Sequence, residues 1–248
     1  EETGMSNNGD NTAVYVVLGA TGSIGNRVAR RLAETGAKLV LAARDTTKLE
    51  RLSEELQVPA VSLDATRFDH VEAALEQIRR SLGRLDGVVN CVGSVPPAKP
   101  ITEISGRDWV EHIDANLTSA FATVRAAAQT MSESGGSVVL ISAADALVGR
   151  PHCELFAAVK GGVAALTRAA AAGYAARGLR VNCVAPGPLE FPSASLDREP
   201  DSAGSPEKKP AGSADDVAAA VVWLLQPAQR WITGQVLALD GGYSTCRP

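Results

Sequence analysis

Two short stretches hold the residue types from which chemistry could be built. The first, "VVLGATGSIGNRVARRLA", spaces Gly19, Gly22 and Gly25 between an apolar run and an amphipathic one. Gly19 can make a tight turn, Gly22 lets backbone approach a pyrophosphate, and Gly25 lets a helix pack closely on a sheet. Thr21, Ser23 and Ile24 complete the turn, and the unbonded N–H groups at the start of the helix can bind phosphate oxygens. The second stretch, "ELFAAVKGG", puts Phe156 and Lys160 on one helix face, an i and i+4 pair. A phenyl ring can neither give nor take a proton. Three residues that can, His152, Cys153 and Glu154, stand just before it. An imidazole such as that of His152 is the side chain best suited to proton transfer near neutral pH. The bland alternative for all three is a helix-entry loop, with Glu154 near the positive helix end. Tyr174 cannot stand in, since it lies about 27 Å further along the same helix.

These residues need elements to position them. Short β-rich runs at Ala13–Leu18, Leu39–Ala43, Ala60–Leu63, Gly87–Val92, Ser137–Ile141, Arg180–Val184 and Gln235–Leu239 alternate with helical patterns. Several of these runs are apolar on successive residues, as parallel strands buried on both faces require. Helical patterns include Gly25–Thr35, His70–Leu82, Asn116–Ser132, Glu154–Ala176 and Ala214–Leu225, the last with Ser213 as N-cap. The alternation predicts an α/β fold: a Rossmann-like, doubly wound parallel sheet of about seven strands in a single domain. Residues 1–12 read as a disordered tail and 13–248 as the domain. A Pro-, Ser- and charge-rich break at 192–213 marks a surface loop, so about 189–213 is expected to form a lid over the substrate.

The second strand ends "LVLAARD". A fold that prefers NAD places an acid there to bind the ribose hydroxyls. Ala43 holds that place, followed by Arg44, whose guanidinium suits a 2′-phosphate, so NADP(H) is favoured over NAD(H).

Bulk composition narrows the classes. Hydrophobic residues make up 45%, charged residues 21% and aromatics only 4%, so Ala, Val and Leu must build the core. A net charge of −4 argues against nucleic acid or an anionic membrane as partner. No stretch is expected to cross a membrane. The four cysteines, Cys91, Cys153, Cys183 and Cys246, have no metal-like spacing, which predicts free thiols, no metal site and a cytoplasmic or other reducing compartment. Met5 could be a natural start with residues 1–4 an appended remnant; an organelle reached after a trimmed targeting peptide is also open.

From about Ala13 to Gly242 the chain resembles the short-chain dehydrogenase/reductase family. "GATGSIG" resembles its cofactor loop, and Asp64 in "SLDAT" the acid that contacts adenine. "NCVG", Asn90 to Gly93, resembles the motif after the fourth strand, and Asn116 in "DANLTSAF" the asparagine of the catalytic tetrad. "RGLRVNCVAPGP" resembles the sixth strand and the Pro186–Gly187 turn beside the nicotinamide, with Leu189 just beyond, and "ITGQVLALDGG" resembles the C-terminal strand. The resemblance implies hydride transfer between a nicotinamide and a carbonyl or alcohol. A tyrosine would act as acid/base, a lysine one turn later would hold the ribose hydroxyls and lower the tyrosine's pKa, and a serine would orient the substrate oxygen.

Lys160 fits the lysine, but the tyrosine place holds Phe156 and the serine place Ala143. Ser142 could serve only if a bulge shifted the register by one residue. In the family's enoyl reductases the tyrosine stands where Cys153 does. Three readings follow: an NADP(H)-binding oxidoreductase acting on a small molecule with a non-standard proton donor, a cofactor-binding subunit or sensor without turnover, or a non-redox enzyme reusing the cleft. The resemblance also implies a homodimer or homotetramer, with the Lys160 helix at an interface.

Overall fold

The computed structural model describes residues 12–131, 134–190 and 211–246. The chain runs β1 (Val14–Leu18), α1 (Ser23–Glu34), β2 (Lys38–Ala43), α2 (Thr46–Leu56), β3 (Ala60–Ser62), α3 (Phe68–Leu82), β4 (Gly87–Asn90), α4 (Gly106–Ile113), α5 (Ser119–Met131), β5 (Gly136–Ile141), α6 (Glu154–Tyr174), β6 (Leu179–Pro186), β7 (Leu189–Glu190), β8 (Gly212–Ser213), α7 (Ala214–Leu225) and β9 (Val236–Leu239). Seven strands form one parallel sheet in the order β3-β2-β1-β4-β5-β6-β9. The order reverses between β1 and β4, which opens a crevice at the carboxyl ends of the strands.

Strand alternation sorts the core into two layers. Val14, Val16 and Leu18 of β1 face α3, α5 and α6, together with Val71, Leu75 and Val163. Tyr15 and Val17 face α1, α2 and α7, with Val28, Leu32 and Val221. Every residue of β1 is buried, which is why that strand reads as an unbroken apolar run.

The expected strands are all present, with ends shifted by up to two residues. β4 stops at Asn90 rather than Val92 because the Asn90 side chain takes over: its Oδ1 accepts from Val92 N at 2.8 Å and bends the chain off the sheet. The helix expected from Asn116 begins instead as a wide π turn, Asp114–Thr118, that runs directly out of α4. Helices α2 and α4 were not anticipated. Each starts at an N-cap, Asp45 accepting from Lys48 N at 3.0 Å and Ser105 in a capping box with Asp108.

One expectation is corrected. By length and composition α6 does qualify as a membrane-crossing helix, at mean hydropathy 1.3. Its apolarity has another cause: it packs on α5, β5 and β6, with Val159 and Val163 each 1% exposed. The tail at 1–11 and residues 191–210 of the proposed lid lie outside the described residues. The base of that segment is described. Leu189–Glu190 pairs with Gly212–Ser213 in a two-stranded ladder, and Gly212 N donates to Pro188 O at 3.0 Å.

Candidate active site

The glycine turn is dictated by close backbone approaches. Gly19 has φ +75°, and a Cβ there would lie 2.8 Å from Val92 N. A Cβ on Gly25 would meet Gly19 O at 2.1 Å. Gly22 is different: the nearest atom to an added Cβ is 3.4 Å away, an ordinary contact. Packing within the chain therefore requires glycine at 19 and 25 but not at 22, where the open side faces a cavity. Gly22 is also the N-cap of α1, makes no side-chain cap bond, and has no acid in the turn after it. The first N–H groups of α1 are left for a ligand anion.

Two cavities meet at this turn. One, of about 280 Å³, is lined by Gly19, Thr21, Ala43 and Arg44. The other, of about 320 Å³, is lined by Ser23, Ile24, Ser142, Ala143, Phe156 and Lys160, and by Pro186, Gly187 and Leu189 beyond β6. Both include Gly22, Cys91, Val92 and Gly93 at their junction. Together they make one trough along the strand ends, the place where this class of sheet binds a dinucleotide.

At the first end Arg44 is exposed and lines the trough. The neighbouring acid, Asp45, is engaged elsewhere: it caps α2 and pairs with Lys48 Nζ at 3.0 Å. Asp64 sits between two lining residues, Leu63 and Ala65, but its own carboxylate turns to Thr66, accepting from N at 3.0 Å and from Oγ1 at 2.9 Å. Burial pushes this carboxyl up, and the Thr66 bonds with the nearby Arg44 charge outweigh it, so its pKa is lowered.

At the second end Lys160 is 6% exposed. Its Nζ donates to Ile141 O at 3.0 Å and lies 5.9 Å from the centroid of the Phe156 ring. Burial pushes its pKa down to about 8. Gly93 is glycine because of this group: an added Cβ would lie 2.7 Å from Asn116 Oδ1 and 3.2 Å from Lys160 Nζ. Asn116 is 2% exposed and fully bonded, donating to Ser94 O at 3.1 Å and His112 O at 3.0 Å while accepting from Ser94 N at 3.3 Å. It holds the loop after β4 onto the α4–α5 junction and lines the cavity beside Lys160.

Three expected site residues need correction. Ser142 lines the cavity but continues β5: the β5–β6 register runs unbroken to Ile141↔Val184, and Ser142 N bonds Val184 O at 2.8 Å. Its hydroxyl donates to Lys160 O at 2.7 Å, tying the strand end to α6. His152 is exposed, has φ +62°, and is not among the residues lining either cavity. Asn90 is buried, with its amide donating to Thr123 Oγ1 at 2.8 Å, and it lines neither cavity.

Ala143 and Phe156 prove to be one feature. They pack in the same small apolar cluster with Leu155 and Val159, at 6% and 9% exposed respectively. Two further groups on the cavity wall went unanticipated. Ser94 lines it, with Oγ 2.8 Å from His112 Nδ1. Asp145, Arg150 and Tyr243 line it too, with Arg150 Nε 3.2 Å and Tyr243 Oη 3.5 Å from Asp145 Oδ1. Position 94 directly follows the "NCVG" stretch and was open to inspection; nothing in spacing links 145 to 243.

A reversing parallel sheet, a glycine turn on a helix start and a buried lysine at the strand ends define the dinucleotide-binding class of α/β protein. The chain belongs to the short-chain dehydrogenase/reductase family. A family model described as enoyl-(acyl carrier protein) reductase matches residues 19–244. A cis-4-hydroxycyclohexanecarboxylate dehydrogenase from Sinomonas cyclohexanicum is 34% identical, over 93% of this chain and 96% of that one. Among solved structures, ElxO with NADP bound has TM-score 0.86 and 28% identity, covering 95% of this chain and 100% of that one. A tyrosine-to-phenylalanine variant of ElxO with NADPH bound matches equally, at TM-score 0.86, 28% identity and the same coverage. The chain is therefore an oxidoreductase of short-chain dehydrogenase/reductase type.

Proposed function

We propose that this protein is an NADP(H)-dependent oxidoreductase interconverting a carbonyl and an alcohol with a proton donor other than the tyrosine of its family. The observation that carries this reading is the trough, which joins an open helix start and Arg44 at one end to the buried Lys160 at the other. Gly22 and the N–H groups of α1 would take the pyrophosphate, and Lys160 would hold ribose hydroxyls. Arg44 would face a 2′-phosphate, because the nearest acid, Asp45, is engaged in capping α2. NADP(H) would supply or accept the hydride. The family resemblance expects a phenol at 156; the Phe156 ring and Ala143 methyl give that wall no acid, so the proton must come from elsewhere on the cavity surface.

The hydroxycyclohexanecarboxylate dehydrogenase makes cyclic secondary alcohols and their ketones the first substrates to try. The test is a deuterium-transfer assay. Full-length protein is incubated with nicotinamide-deuterated NADPH and a ketone panel that includes 4-oxocyclohexanecarboxylate. Deuterium in the alcohol product is the expected result. Tight NADPH binding by fluorescence titration with no transfer across the panel would instead support a cofactor-binding role, the reading favoured by the Ala143–Phe156 cluster. A second copy of the chain is the proposed partner: half of the most apolar stretch of α6 is left uncovered by the chain. Sedimentation velocity at micromolar concentration would detect the dimer or tetramer.

A further inference from the structure

One pair of polar groups on the cavity wall is not used by the reading above, on which this inference rests. Ser94 follows Gly93, whose Cα faces Lys160 Nζ and Asn116 Oδ1, and it lines the cavity beside them. Its Oγ is 2.8 Å from His112 Nδ1, and either atom can hold the shared proton according to the imidazole tautomer. Asn116 fixes both partners at once, bonding Ser94 through N and O and His112 through its carbonyl. Ser94 lines the cavity, whereas His112 is half-buried and is not among the lining residues, so the pair runs from the cavity wall outward.

The other candidates are engaged. Ser142 donates to Lys160 O, and Lys160 donates to Ile141 O. Tyr243, the single tyrosine lining this cavity, has Oη 3.5 Å from Asp145 Oδ1, which takes its proton toward the Arg150 side of the wall.

We propose that Ser94 and His112 form the proton relay of this site. In reduction the carbonyl carbon gains the hydride of the reduced nicotinamide, and the carbonyl π pair moves onto oxygen. That oxygen takes the proton of Ser94 Oγ, so a new C–H and a new O–H bond would form as the nicotinamide C–H and the serine O–H break, leaving the oxidised cofactor. Ser94 Oγ regains a proton from Nδ1–H of the His112 imidazolium, and the neutral imidazole left behind takes up the one solvent proton that the net reduction consumes. Oxidation of the alcohol runs the same steps backwards.

Ser94→Ala is the cleanest variant, because the bonds to Asn116 run through the Ser94 backbone and survive it. A lost general acid lowers rate by about 10²–10⁴-fold. Ser94→Ala and His112→Asn are expected to lower kcat for ketone reduction about 100-fold or more at unchanged Kd for NADPH. The double variant should be no slower than either single, since the two act as a unit. His112→Asn keeps a hydrogen-bonding amide but cannot pass a proton; a rate near wild type there would give His112 a structural role and overturn the relay. Ser94→Ala within threefold of wild type, with the loss falling on Tyr243→Phe instead, would overturn it as well. A readout independent of turnover is the His112 Nδ1 signal in 15N-histidine NMR spectra of the NADPH complex. It should move in Ser94→Ala, and a fixed signal counts against the pair. A wild type that binds NADPH but transfers no deuterium overturns function and relay together. A wild type that transfers it with full rate in Ser94→Ala overturns the relay alone.

Discussion

At the scale of single residues, the three glycines of the turn look alike in sequence but differ in what demands them. Gly25→Ala would push a Cβ to 2.1 Å from a backbone carbonyl, so it should unfold at markedly lower temperature or fail to accumulate. Gly22→Ala meets only a contact at 3.4 Å; it should melt near wild type yet bind NADPH at least tenfold more weakly by fluorescence titration. Lys160 gives a second residue-scale prediction. Burial sets its pKa near about 8 in the fold against an ordinary 10.5, so the unfolded chain binds the extra proton between those values and stability rises with pH there. The buried thiols oppose it. Burial pushes Cys91 up to about 12 and Cys183 up to about 11 from an ordinary 9.0, so above pH 9 the unfolded chain loses protons first and stability falls. Urea unfolding of the ligand-free protein should therefore show stability rising from pH 8 to 9, and Lys160→Met should abolish the rise. Most of the cofactor end was legible at this scale because backbone geometry forces glycine types at fixed spacing. The substrate end was not, because side-chain neighbours such as Ser94 and His112, or Asp145 and Tyr243, meet only through the fold.

At the scale of elements, the helices that the sequence reading passed over are the ones whose starts are best defined. α2 buries only Leu49 and Leu52, and α4 buries none of its residues, so neither carries a long buried apolar run. Their signals are the caps: Asp45 before α2, and Ser105 with Asp108 before α4. Long apolar elements announced themselves by composition: β1, buried throughout, and α6, buried on one face, are the examples. The same burial made α6 apolar enough to resemble a membrane span. Ser213 and Asp216 form a capping box on α7, and Ser213→Ala should cost about 1 kcal/mol in chemical unfolding, with NADPH affinity unchanged. Asp45→Ala should lower the unfolding midpoint by the same mechanism, through α2.

At the scale of the whole molecule, the sheet and its two helical layers make a platform, and most residues lining the trough sit at or just past a strand end or at an adjoining helix start, with Lys160 and Asn116 reaching in from α6 and the α4–α5 junction. The Asn116 amide joins the loop after β4 to the α4–α5 junction, so the platform and the substrate wall are fixed to each other by a buried side chain. The segment between β7 and β8 has a different relation to the fold. It leaves from Leu189–Glu190 and returns at Gly212–Ser213, where the ladder and the start of α7 lock it in place. Replacing 191–210 by a short Gly/Ser linker should therefore leave the melting temperature and NADPH affinity close to wild type and lower turnover of ketones, as read by calorimetry, fluorescence titration and steady-state rates. In evolutionary terms the clamp makes the protein modular. With its two ends clasped by the ladder, a change of length between them need not disturb the register of β7 and β8 or the start of α7.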